Sequence, residues 1–84
     1  MRGKHRRTLM RMSARPTPSG IRWVDIVGML EAAGVQVSER SGSRVLLKKE
    51  AERMIVHRPH PAPETGRVTV RAIVAFLEAA GVEP

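Results

Sequence analysis

The chain has 84 residues, no cysteine and a formal net charge of +7. That length allows one domain with a modest core, so a deep enclosed pocket is not expected, and the lack of cysteine excludes a disulfide framework or a thiolate metal site. No apolar run reaches the ~18 residues of a membrane span, and the basic N-terminus is not followed by the apolar stretch of a secretory signal, so the expectation is a soluble, cytoplasmic protein without a membrane partner.

The charge is unevenly placed. Residues 1–20 carry Arg2, Lys4, Arg6, Arg7, Arg11 and Arg15 and no acid, whereas in residues 21–84 nine basic side chains face eight acidic ones. Such a segment is attracted to any polyanion through counterion release, and its plainer reading is a disordered, solubilising extension. It ends in Arg15-Pro16-Thr17-Pro18-Ser19-Gly20, where two prolines and a glycine oppose helix continuation. Residues 1–20 are therefore expected to be a basic N-terminal extension or linker, with 1–18 mobile or extended apart from one amphipathic turn around Leu9, Met10 and Met12. The folded domain is expected to span 21–84.

Trp23, Ile26, Val27, Leu30 and Ala33 follow helical spacing, with Ser19 or Gly20 before them and Gly34 after them as boundary signals. Val35 and Val37 alternate with Gln36 and Ser38, as in a half-buried strand, and Arg40-Ser41-Gly42-Ser43 reads as a turn. Val45-Leu46-Leu47 and Met54-Ile55-Val56, separated by a polar stretch, suit two strands of a tight hairpin. Pro59-His60-Pro61-Ala62-Pro63 is an extended loop. Val70, Ile73, Val74, Leu77 and Ala80 restore helical spacing, starting near Thr65 or Gly66 and stopping at Gly81. Leu30-Glu31-Ala32-Ala33-Gly34-Val35 recurs as Leu77-Glu78-Ala79-Ala80-Gly81-Val82. Nothing between the copies repeats, so the repetition is read as two helices stopped in the same way, at a glycine in left-handed geometry.

These elements give an α+β fold ordered helix, strand, strand, strand, helix: a three-stranded antiparallel sheet with both helices on one face and the other face open. A two-residue turn at Glu50-Ala51 pairs Arg44 with His57, Leu46 with Ile55 and Lys48 with Arg53 on the open face, leaving Val45, Leu47, Met54 and Val56 for the core. A three-residue turn would instead pair Val45 with His57 and Arg44 with Arg58. In the first register the open face is basic at its ends and apolar in its middle. Arg44, Lys48, Arg53, His57 and Arg58 can then grip phosphates, while Leu46 and Ile55 call for a cover. The competing reading is a solvated face with ordinary surface residues. With no tyrosine, and with Trp23 and Phe76 in helices, base stacking on sheet aromatics is not expected.

Gly42-Ser43-Arg44-Val45, then a hairpin, then His57-Arg58-Pro59-His60-Pro61, then a helix ending in Phe76-Leu77-Glu78-Ala79-Ala80-Gly81, resembles the HicA family over residues 21–84. The resemblance implies a double-stranded-RNA-binding-domain-like fold in the element order already given. It also implies the toxin of a toxin–antitoxin system, an mRNA interferase blocked by a HicB-type antitoxin protein. HicA toxins typically carry a catalytic histidine after the glycine-serine pair of the second strand; here that position is Arg44. An arginine stays protonated at neutral pH and so cannot act as a general base, though it can stabilise developing negative charge.

The acid-base role then falls to His57 or His60, set against a structural role in which His57 ends a strand and His60 is held between prolines. In metal-independent cleavage one histidine removes the proton of a ribose 2′-hydroxyl, which attacks the adjacent phosphate to give a cyclic phosphate. Arg44 and Lys48 stabilise the charged transition state, and Ser43 orients the phosphate. No metal site or cofactor is expected, because two histidines and scattered glutamates lack ligand spacing. Two alternatives to an RNase stand beside it: a catalytically inactive HicA-like RNA- or antitoxin-binding module, and, more weakly, a basic DNA-associated protein without a recognisable helix-turn-helix.

Overall fold

In the computed structural model, which describes residues 1–84, the elements are α1 (Gly3–Met12), β1 (Ile21–Arg22), α2 (Trp23–Ala32), β2 (Gln36–Glu39), a 3-10 turn (Ser41–Ser43), β3 (Arg44–Lys49), β4 (Glu52–His57), β5 (Glu64–Thr65) and α3 (Arg67–Ala79). Strands β2, β3 and β4 form an antiparallel sheet in that order. Helix α2 packs on β2, and α3 on β4. Val45, Leu47 and Val56 are buried beneath the helices, while Ile55 on the reverse face is exposed. The α+β architecture and strand order follow the sequence reading.

Helices α2 and α3 form for the expected reason. Their apolar stripes, Trp23, Ile26, Met29 and Leu30 on one and Val70, Ile73, Val74, Phe76 and Leu77 on the other, are buried in one core. Both stop in the same hydrogen-bonded cap. Val35 N–H donates to Leu30 O (2.9 Å) and Gly34 N–H to Glu31 O (3.0 Å), and Val82 N–H donates to Leu77 O (2.8 Å) and Gly81 N–H to Glu78 O (3.1 Å). Gly34 and Gly81 have φ of +86° and +82°, the left-handed geometry of this cap. The repeated Leu-Glu-Ala-Ala-Gly-Val is therefore a repeated helix stop.

Two features depart from expectation. Residues 1–18 are not mobile or extended: Gly3–Met12 is a helix that packs against α2 and α3. Leu9 and Met12, 1% and 0% exposed, belong to the main core. Their spacing lines up with His5 and Thr8 on one helical face, and that narrow stripe is enough because tertiary packing, not local propensity, stabilises short helices. The approach to α2 is close, since a Cβ at Gly28 would lie 3.0 Å from the His5 ring. Second, Ile21–Arg22 and Thr65 lie in a two-stranded ribbon, with Ile21 opposite Thr65 and Arg22 opposite Glu64, instead of starting helices. Two-residue strands have no period to read. The ribbon ties the starts of α2 and α3 together, with Trp23 N–H donating to Pro63 O at 2.9 Å.

The linker is fastened as well. Arg67 Nε donates to Thr17 O (3.0 Å) and Arg15 Nη1 to Thr17 Oγ1 (3.4 Å), and Thr17 is buried.

Candidate functional site

The open face is built by the β3–β4 hairpin. Its register pairs Arg44 with His57, Leu46 with Ile55 and Lys48 with Arg53, joined by a two-residue turn at Glu50 and Ala51. The alternative pairing of Val45 with His57 is not adopted. It would have placed Val45 and Leu47 on one face of the hairpin and Val56 on the other, so that the three, all buried here, could not share the core. Arg58 N–H donates to Ser43 O at 2.8 Å, so residues 43 and 58 form a hydrogen-bonded pair. Pairs alternate along an antiparallel ladder, which makes Arg44 and His57 a non-hydrogen-bonded pair, the kind with the closer side chains. The same alternation applies to Leu46 with Ile55 and Lys48 with Arg53.

Next to this ladder the chain turns through Ser41-Gly42-Ser43, with Gly42 at φ 70° and Ser43 at φ 62°. This three-residue hairpin loop closes with Arg40 N–H donating to Arg44 O at 2.7 Å. It also holds the Arg44 side chain, whose Nε donates to Ser41 O (3.1 Å) and Nη2 to Ser41 Oγ (3.2 Å). A guanidinium has five N–H donors. Two are spent on Ser41, so the group is aimed while three remain for a ligand. A shallow groove of about 660 Å³ runs along this edge, lined by Glu39, Arg40, Ser41, Arg44, Leu46 and Ile55. Ile55 is 50% exposed and Leu46 half-buried, so the groove has an apolar floor beside its cations.

The structure brings Arg44 and His57 together at one end of the face and Lys48 and Arg53 at the other, with Ser43 on the loop that leads into Arg44. Arg58, one residue beyond His57, is met by an acid of the groove rim, its Nη1 lying 3.4 Å from Glu39 Oε2 in an exposed ion pair. His60 is exposed in the loop between β4 and β5 and makes no hydrogen bond to the face. Sequence reading missed Arg40 and Ser41. They were visible as turn residues only, and nothing in their spacing marks the contact of Ser41 with Arg44. No three histidines, aspartates or glutamates are grouped so as to hold a metal ion, and no helix is long and apolar enough to cross a membrane.

A family model described as the HicA toxin of bacterial toxin-antitoxin systems matches residues 23–82, from the start of α2 to just past α3. The chain belongs to the HicA toxin family. As a HicA toxin it is one component of a toxin–antitoxin pair, in a family generally made of mRNA-cleaving toxins, and an antitoxin partner follows from that membership. The HicA match takes in the whole open face, Arg40 to Arg58, and leaves α1 outside it. Comparison with curated proteins and with solved structures gives no match.

Proposed function

We propose that this HicA toxin is a metal-independent mRNA endoribonuclease that works on the open side of its sheet and is held inactive by a HicB-type antitoxin in the cytoplasm. The observation that carries the reading is Arg44 directly opposite His57, with the guanidinium pre-aimed by Ser41. His57 takes the proton of a ribose 2′-hydroxyl, and the 2′-oxygen attacks the neighbouring phosphorus. The bond from phosphorus to the 5′-oxygen breaks, leaving a 2′,3′-cyclic phosphate and a 5′-hydroxyl. The departing oxygen takes up a proton, for which His60 in the adjoining loop is the second histidine of this region. Arg44 offers its unspent N–H donors to the phosphate oxygens as charge builds, where a fixed donor lowers the barrier most. Lys48 and Arg53 at the far end, with Ser43 and Arg58 at the near end, extend phosphate contact along the strand.

A second reading has a specific observation behind it. The position that carries a histidine in typical HicA toxins carries Arg44, which supports a module that binds RNA or antitoxin without cleaving. One assay separates the two: cleavage of a defined mRNA by the wild-type chain and by Arg44→Ala, His57→Ala and His60→Ala. The RNase reading expects His57→Ala to slow cleavage by roughly 10²–10⁴-fold and Arg44→Ala by roughly 10²–10³-fold. Cleavage that survives loss of both histidines removes the acid-base scheme. RNA bound tightly by a wild-type chain that leaves it intact establishes the second reading instead.

A further inference from the structure

Helix α1 lies outside the family match, yet it is part of the folded core. With Leu9 and Met12 buried and His5 against α2, the side chains of Lys4, Arg7 and Arg11 fall within about 60° of one another on a flank of the helix at ~100° per residue. They line one groove of about 310 Å³ together with Thr8, Ile21 and Asp25. None of the three cations forms an ion pair, not even with Asp25; the one ion pair of the whole chain is Arg58 with Glu39. Because α1 packs on α2 and α3, it sits on the helical side of the molecule, away from the open sheet face.

We infer that Lys4, Arg7 and Arg11 form a second, sequence-independent binding surface for the sugar-phosphate backbone of RNA, separate from the cleavage face. Its occupant is chosen by the chemistry of the groove. Three unpaired cations against one carboxylate call for a polyanion, and the cations are displayed on a fixed helix, so little ordering is lost on binding. A protein partner calls for an apolar or aromatic centre; the groove has only Ile21, 1% exposed, and therefore offers none. Phosphate contacts of this kind position a substrate without reading its sequence. RNA as the partner rests on the function proposed above, while the surface itself rests on α1 alone.

The test uses the full chain and its Lys4→Gln/Arg7→Gln/Arg11→Gln variant, none of whose changed residues belongs to the core or the cleavage face. Binding of a 2′-O-methylated single-stranded RNA, which has no 2′-hydroxyl to react, is measured as a function of salt. Three lost phosphate contacts should reduce the slope of log K against log salt by about 2, and by the same amount for unrelated sequences. Cleavage of an unmodified RNA should show a raised KM with kcat unchanged, and the thermal midpoint should stay in place. An unchanged salt slope overturns the inference, and so does a variant that loses antitoxin affinity while keeping its RNA slope, since that assigns the groove to protein. If the wild type fails to cleave RNA but the slope still falls in the variant, the surface stands and the RNase reading alone is lost.

Discussion

Arg44 and His57 stand opposite each other at a non-hydrogen-bonded position of the β3–β4 hairpin. Cβ atoms at such a position are roughly 4.5–5.5 Å apart, close enough for one phosphate to meet both side chains. Only Arg44 is tied down, by two hydrogen bonds to Ser41. The arrangement is thus asymmetric, with a fixed cation that can hold a phosphate and a histidine free to turn toward a proton.

Ser41 is therefore a positioning residue, and its effect should pass wholly through Arg44. Ser41→Ala removes the Oγ acceptor but keeps the carbonyl, so cleavage should fall several-fold without loss of stability. In the Arg44→Ala background the same change should do nothing, because residues that act through a shared contact are non-additive. A double-mutant cycle on kcat reads this directly, and additive effects would show that Ser41 acts on the substrate by itself.

The apolar middle of the open face bears on the antitoxin. Ile55, half exposed beside half-buried Leu46, should gain from being covered, and the flanking cations call for an acidic partner. Ile55→Asp places an unpaired charge at the centre of that contact, and antitoxin affinity should drop at least tenfold while the toxin stays folded. Hydrogen exchange gives an independent reading: β3 and β4 should gain protection in the complex. Protection confined to the helices would put the antitoxin elsewhere.

The hairpin was legible because two constraints agree on one register: a turn of two residues, and an alternation that sends Val45, Leu47 and Val56 to the core together. The helix stops were legible because Gly34 and Gly81 sit after matching apolar stripes. Helix α1 was not. Its sequence is dominated by charge, and only Leu9 and Met12 are buried, so composition points to a solvated tail while two deeply packed side chains decide otherwise. Nor was the hold of Ser41 on Arg44, since a hydrogen bond from a side chain to a turn carbonyl leaves no pattern in spacing.

The packing of α1 gives a stability prediction. Leu9→Ala should cost roughly 2–5 kcal/mol, as for other fully buried leucines, where a mobile segment would lose almost nothing. The contact of His5 with Gly28 refines it. Gly28→Ala should gain up to about 1 kcal/mol from helix propensity, but its Cβ would lie 3.0 Å from the His5 ring. In the His5→Ala background that clash is gone, so Gly28→Ala should be more favourable there than in the wild type by at least about 0.5 kcal/mol. Denaturant titration of the four proteins measures the coupling, and effects that simply add would mean that the two helices do not meet at this point.

The turn that sets the register of the site carries a cost that can be relieved. Glu50 opens the two-residue β3–β4 turn with φ at 55°, in the left-handed region that disfavours residues with a Cβ by roughly 1–2 kcal/mol. Glycine adopts it freely but loses more backbone entropy on folding, an offset of roughly 0.5–1 kcal/mol. Glu50→Gly should therefore stabilise the chain by about 0.5–1 kcal/mol in chemical denaturation. Because the pairing of Arg44 with His57 is fixed by the length of the turn and by the buried valines and leucine, RNA cleavage should be unaffected. Loss of stability in Glu50→Gly would show that the Glu50 side chain makes a contact outweighing its backbone strain. Loss of cleavage at unchanged stability would show that the register had slipped, and with it the opposition of Arg44 and His57 on which the site depends.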